Sequence, residues 1–420
     1  MCPKRSLWYK FIVLAIVLVL IVPILAACGG GEEEEEAPST TPTSTTVITA
    51  TPIATPTVTA TATPTATTLD PVKIGAINSW SGAAAISGLT LADPIIKLVE
   101  KQVKDQGGIL GGREIKVIRY DSRASTAEAQ AGVKKLYYDD KVSVITMGGV
   151  SGAEFNAVGA ACDEVGILFV SMAHVTDLAK LKLTVNSTAD ALQGRYDEIK
   201  FINTVWKPET LAVIGSDDAT AHIQMQGIKD GVEASGAKTV YFQYFPLGTS
   251  DFSPYLTKIK YEKPDVLSIF SGSNEVLISV AKQIMELGGW GDIKVFTTSS
   301  GEAAKKQPGA QSWHMYANWA PGVDYPGMAK FQNDYQAMFG REFNSNHIYY
   351  YNSLWTAIYA IELAGTDTDR LAIAQAARSG KLEWETPMGH AHFMPDGTSG
   401  LHYVIEKVQD GTMVYVPMPQ

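Results

Sequence analysis

The run Val142-Ser143-Val144-Ile145-Thr146-Met147, followed by Gly148-Gly149-Val150-Ser151-Gly152-Ala153 and later by Ile167-Leu168-Phe169-Val170, decides the fold. The first six residues are apolar or small and end in a glycine pair, the pattern of a buried strand. Residues 153–164 read as a helix, and 167–170 as the next strand. Strand, helix, strand in so short a stretch is a parallel βαβ unit, because parallel neighbours need a crossover that a hairpin cannot supply.

The same cycle extends in both directions. Upstream, 72–77 and 115–120 read as strands, and 91–106 and 126–138 as helices. The first helix is stopped by Gly107-Gly108, since glycine takes a left-handed cap without penalty. A second series begins after Pro208, with strands at 211–214, 240–244, 266–270 and 293–297. Helices are expected near 221–234, 254–261 and 275–287. Tyr349-Tyr350-Tyr351 with Trp355 starts a further helix packed on a sheet, with one ring free to face a cleft. Two series predict an α/β protein with two doubly wound, Rossmann-like lobes, since the body from residue 72 exceeds what one core usually serves.

Open α/β sheets bind ligands at the carboxyl ends of their strands. The loops to inspect are therefore 78–82, 148–153, 171–176, 215–220, 271–274 and 298–302, nearly all small or hydroxylated residues. Gly149-Val150-Ser151-Gly152, just before a helix, is the best anion site among them, the alternative being a plain strand-to-helix turn. His174 sits in a post-strand loop, either as a ligand contact or as an ordinary loop or cap residue.

Enzyme signatures are absent. Gly149-Val150-Ser151-Gly152-Ala153 lacks the last glycine of a nucleophile elbow, and no phosphate loop, dinucleotide fingerprint or HExxH zinc helix occurs. A hydrolase built on Ser151 and His174 would lack an evident orienting acid. His390-Ala391-His392 puts two imidazoles on one strand face, which suits a metal or an ordinary exposed edge; the edge is the expectation, and no metal or cofactor is implied.

Charge excludes another class. The formal net charge is −10, and every charge before Cys28 is positive, so the remainder is more acidic still. Such a surface repels nucleic-acid phosphates and anionic lipid alike. Of three cysteines only Cys162 lies in the body, which precludes an internal disulfide there and predicts a small packed side chain.

The N-terminus carries Lys4-Arg5, then an uncharged apolar run from Phe11 to Ala27. That order is an export signal, though the run is also just long enough to span a bilayer. Leu25-Ala26-Ala27-Cys28 resembles the bacterial lipobox, which implies lipidation at Cys28 and attachment to the membrane through N-terminal lipid. Residues 29–70 are almost wholly Gly, Glu, Thr, Pro, Ala and Ser, too polar to offset the entropy of ordering, and read as a tether.

Several motifs together resemble the leucine/isoleucine/valine-binding family, the type I periplasmic binding proteins of ABC importers. They are Ile74-Gly75-Ala76 with Ser79 and Ser81-Gly82, Gly107-Gly108-Ile109-Leu110-Gly111, Tyr120-Asp121-Ser122, Val165-Gly166-Ile167, Asp251-Phe252, and Pro387-Met388-Gly389 with Pro395-Asp396-Gly397. They fall in the family's order across the body. The resemblance implies two lobes joined by three crossovers, near Ala189, Pro321 and Met388, closing over a small-molecule solute for delivery to an ABC transporter permease, with the protein acting as a monomer. It divides the chain into a signal peptide (1–27), a lipidated tether (28–70), lobe 1 (71–189 plus 322–387) and lobe 2 (190–321 plus 388–420).

By position, the resemblance gives a ligand carboxylate to Ser151, Gly152, Ala173 and Thr176, with His174 between the last two. Thr220 stands where the family usually has an aromatic residue. Ser300 stands where it has the acid that meets the ligand's ammonium, with Glu302 two residues on. The resemblance therefore implies that Glu302, Asp217 or Asp218 replaces that acid, or that the ligand is a carboxylate, amide or aromatic acid rather than a branched-chain or related amino acid. A sensor that reports its ligand to a signalling partner uses the same fold.

Overall fold

A computed structural model describes residues 69–418 except 83, 174–177, 190, 272 and 344. The export signal, Cys28 and most of the tether lie outside these residues, as do His174 and Thr176. Residues 66–420 form one compact unit, and the description below concerns that unit.

The first sheet has the order β2-β1-β3-β4-β5, all parallel. Its strands are β1 (Val72–Asn78), β2 (Ile115–Asp121), β3 (Val144–Met147), β4 (Phe169–Ser171) and β5 (Thr184–Asn186). The crossovers are α1 (Asp93–Asp105), α2 (Thr126–Tyr138) and α3 (Gly152–Val165). A π-helical turn at Ser87–Ala92 leads into α1. Cys162 of α3 is a free, fully buried thiol, and burial pushes its pKa well up.

The second sheet begins the same way. It comprises β6 (Thr210–Ser216), β7 (Lys238–Phe245), β8 (Val266–Phe270), β9 (Lys294–Thr297) and β10 (His314–Ala317), parallel in the order β7-β6-β8-β9-β10. Helices α4 (Ala191–Phe201), α5 (Ala219–Glu233), α6 (Ser253–Glu262) and α7 (Asn274–Glu286) belong to this half. Successive residues of a strand point to opposite faces, and β6 shows it. Ala212 and Ile214 join one apolar cluster, while Leu211 and Val213 join another.

The C-terminal third returns to both sheets. Helix α8 (Pro326–Phe339), α9 (His347–Ala364) and α10 (Arg370–Ala377) come back to the first core, and the Ser353 hydroxyl of α9 donates to Val170 O of β4 at 2.8 Å. The hairpin of β11 (Glu383–Thr386) and β12 (Gly389–His392) forms its own two-stranded sheet. Finally β13 (Val404–Gln409) and β14 (Thr412–Val416) extend the second sheet antiparallel to β10.

The chain passes between the two cores at three places. Two lie between β5 and α4 and between β10 and α8, in the neighbourhoods of Ala189 and Pro321. The third falls later than expected. Met388, Ala391, Phe393, Leu401 and Tyr403 are all buried in the first core, while Ile405 is buried in the second, so the transfer comes at residues 403–405 and not near Met388. The apolar faces of the hairpin and the turn after it carry this stretch with lobe 1.

Candidate functional site

Both sheets share the strand order 2-1-3-4-5, which reverses direction between the first and third strands of each. At that reversal the loops diverge and leave a crevice at the strands' carboxyl ends. In the first sheet the flanking loops are 79–82 and 148–151; in the second they are 217–218 and 271–273.

The loop after β3 is built around a carboxylate of the protein itself. Ser151 caps α3, its Oγ accepting from Glu154 N at 3.3 Å. Glu154 is fully buried and reaches back: its Oε2 accepts from Val150 N at 3.0 Å and from the Ser151 hydroxyl at 3.1 Å. Its Oε1 accepts from the Ser122 hydroxyl at 2.7 Å. This is a reciprocal cap at a helix end that favours negative charge. Gly149, at φ +111°, permits it, since a Cβ there would stand 2.6 Å from Glu154 Oε1. The Val150 amide, expected to serve a ligand anion, is thus taken by Glu154. Ser151 and Gly152 remain exposed.

The other expected residues are placed as follows. Ala173 lies half-buried after β4 in a turn closed by the Ser171 hydroxyl, which donates to Ala173 O at 2.7 Å. Thr220 is exposed in the first turn of α5. Ser300 lies in the short 3-10 segment Ser299–Ala304, and its side chain lies outside the described residues. Each acid expected to face an ammonium has a partner in the chain. Asp218 caps α5, accepting from Ala221 N at 2.9 Å and from the Ser216 hydroxyl at 2.6 Å. Asp217 pairs with His222 at 2.7 Å, and Glu302 with Lys305 at 2.8 Å.

The chain also forms a cavity of about 820 Å³, within the range of small-molecule sites. Its walls come from both halves: Asn274 and Glu302 after the strands of the second sheet, Glu406 on β13, Asn318 and Trp319 after β10, and Tyr349 on α9. Among the described residues expected at the site, only Glu302 lines it. Tyr349 is the ring of the tyrosine cluster that faces it, and hydrogen-bonds Asn318. Trp319 packs on Phe343 as a tilted pair with ring centroids 5.4 Å apart. Burial, and secondarily the charge of Glu302, push the Glu406 carboxyl up to about 8 against the opposing pull of Lys305. Asn318, Trp319 and Glu406 were missed in the sequence because β10 and β13 were.

The paired histidines sit elsewhere. On the exposed hairpin face, His390 Nδ1 lies 2.8 Å from Glu385 Oε1, and His392 Nδ1 lies 3.3 Å from Glu383 Oε2. Among the described residues no group of three or more His, Cys, Asp or Glu is arranged to hold a metal ion, and no helix is long and apolar enough to cross a membrane.

Residues 71–412 match the family described as periplasmic binding protein. The Leu/Ile/Val/Thr-binding protein of Salmonella typhimurium is 25% identical over 203 residues, 47% of this chain and 53% of that protein. The chain thus spans about half the length of the curated relatives it matches. Two solved structures share the fold over nearly their whole length. The branched-chain amino acid transporter substrate-binding protein of Streptococcus pneumoniae, in complex with isoleucine, aligns at TM-score 0.68 and 19% identity, covering 83% of this chain and 99% of that one. A solute-binding protein of an ABC transporter from Rhodopseudomonas palustris, in complex with 3,4-dihydroxybenzoic acid, aligns at TM-score 0.70 and 21% identity, covering 84% and 99%.

Proposed function

The chain belongs to the periplasmic binding protein family, and on that premise we propose that it is an extracytoplasmic solute-binding lipoprotein of an ABC importer. It captures a small organic solute between its two lobes and presents the closed form to a permease. A branched-chain or related amino acid is the leading ligand. The observation that carries the reading is the cavity whose walls come from both lobes and from the segment after β10 that joins them. A ligand touching both walls binds the shut form better than the open one, and that difference is the driving force for closure.

Cys28 is the lipid attachment point in this proposal, residues 29–70 are the tether, and the protein acts as a monomer. Ser151, Gly152, Ala173, His174, Thr176 and Thr220 contribute the polar rim from the strand ends, with Ser300 and Glu302 opposite.

An aromatic acid is the second reading. Trp319, Phe343 and Tyr349 on the cavity wall, with Lys305 and Lys306 beside them, suit a ring that bears a carboxylate.

The test is thermal unfolding of the full-length chain in detergent against leucine, isoleucine, valine, their deaminated acids, short amides and 4-hydroxybenzoate. A solute at 100 times its Kd adds about 2.7 kcal/mol, which is a shift of several degrees. A shift with an amino acid supports the leading reading, and one with 4-hydroxybenzoate alone supports the second. No shift with any member contradicts both. A sensor would bind equally well but leave a permease's ATPase unstimulated.

A further inference from the structure

Glu406 sits in the middle of β13, 5% exposed, and its carboxyl makes no hydrogen bond or ion pair among the described residues. It borders the cavity. On the same wall Asn318, also 5% exposed, is held by the Tyr349 hydroxyl, and its Oδ1 has no partner. A buried acceptor without a donor is costly, and native structures rarely keep one unless something else supplies the donor. One such acceptor, beside a largely buried carboxyl that borders the same cavity without an ion-pair partner, calls for a ligand group rich in N–H.

We propose that this cavity receives the amino group of the solute, with Glu406 as its counter-charge and Asn318 Oδ1 as a second acceptor. The inference rests on the solute-binding reading above and names the ligand class within it. An ammonium carries three donors and no acceptor, which suits this pair. The rings of Trp319 and Tyr349 on the same wall favour a cation over an anion. Lys305 competes little, because Glu302 already holds it.

Binding then moves one proton. The empty site keeps Glu406 protonated, because burial and the neighbouring Glu302 disfavour its charge. When the ammonium arrives with its own protons, the Glu406 proton leaves to solvent. The other ionisable groups bordering Glu406 are Lys305, Lys306 and Glu342 across the cavity, with Tyr349 on α9 and the cross-strand partner Tyr415. Of the charged neighbours Lys305 opposes a high pKa and Glu302 supports it.

The experiment is calorimetric titration of the full-length chain with leucine, isoamylamine and 4-methylpentanoate. It is run between pH 6.5 and 8.5 in two buffers of different ionisation enthalpy. Leucine and isoamylamine are expected to release up to one proton below pH 8, with affinity rising up to about tenfold per pH unit there. Glu406→Gln, close in shape to the protonated acid, should abolish the release and weaken both amines at least tenfold. The wild-type proton count needs no variant and stands if that variant folds poorly. Amine binding without proton release, or with affinity unchanged in Glu406→Gln, overturns the assignment. Binding of 4-methylpentanoate without the amines also overturns it and leaves the solute-binding function standing. Binding of none overturns both.

Discussion

The Ser122 hydroxyl donates to Glu154 Oε1 at 2.7 Å, tying the loop after β2 to the first turn of α3. Glu154 also takes the Val150 amide and the Ser151 hydroxyl, so three donors converge on one buried carboxylate. Removing the side chain strands all of them. Glu154→Ala should cost about 2–4 kcal/mol in denaturant unfolding, and Glu154→Gln, which keeps one acceptor, roughly 1 kcal/mol. Equal stability of Glu154→Ala and wild type would mean that the cap does not organise this loop.

Glu198 on α4 gives the protein a pH-dependent stability. It is 3% exposed, burial raises its carboxyl from the usual 4.5 to about 8, and a hydrogen bond from Ser268 at 2.7 Å pulls only partly the other way. Between those pH values the folded state holds a proton that the unfolded state has released. Stability from this group is therefore greatest below about pH 4.5 and is lost as pH rises through about 8. Glu406 carries the same sign. Glu198→Gln should match wild type near pH 4.5 and exceed it by on the order of a few kcal/mol at pH 9. Parallel stability curves for the two proteins would contradict this.

Arg378, just past α10, fastens the hairpin region to β5. Its guanidinium donates to Leu181 O at 2.8 Å, Thr184 O at 2.7 Å and Pro395 O at 2.9 Å. Arg378→Ala leaves these carbonyls without that donor, and should lower unfolding free energy by about 2–4 kcal/mol. Arg378→Lys should recover only part, because an ammonium lacks the planar fork. Hydrogen exchange at β5 and at residues 395–398 should rise together in Arg378→Ala; protection that stays unchanged at both would count against the link.

The parallel strands were legible because each is an apolar run between turn residues, and their crossovers kept helical spacing. What escaped has physical reasons. Strand β5 has three residues, too few to show a period. In β13 the pair Glu406-Lys407 breaks an apolar run, so a buried carboxyl looks like a solvent-facing one. The Ser151 to Glu154 spacing was readable as a capping box. The acids expected at the ligand were all spoken for by neighbours that sequence cannot place, such as His222 beside Asp217.

The most direct test of the account is small-angle X-ray scattering of the body, residues 66–420, during titration with whichever solute raises the unfolding temperature. The account predicts that the radius of gyration falls in a single step, saturating at one solute per chain with the midpoint of the thermal titration. A solute that stabilises the protein and leaves its radius of gyration unchanged would contradict capture by closure of two lobes.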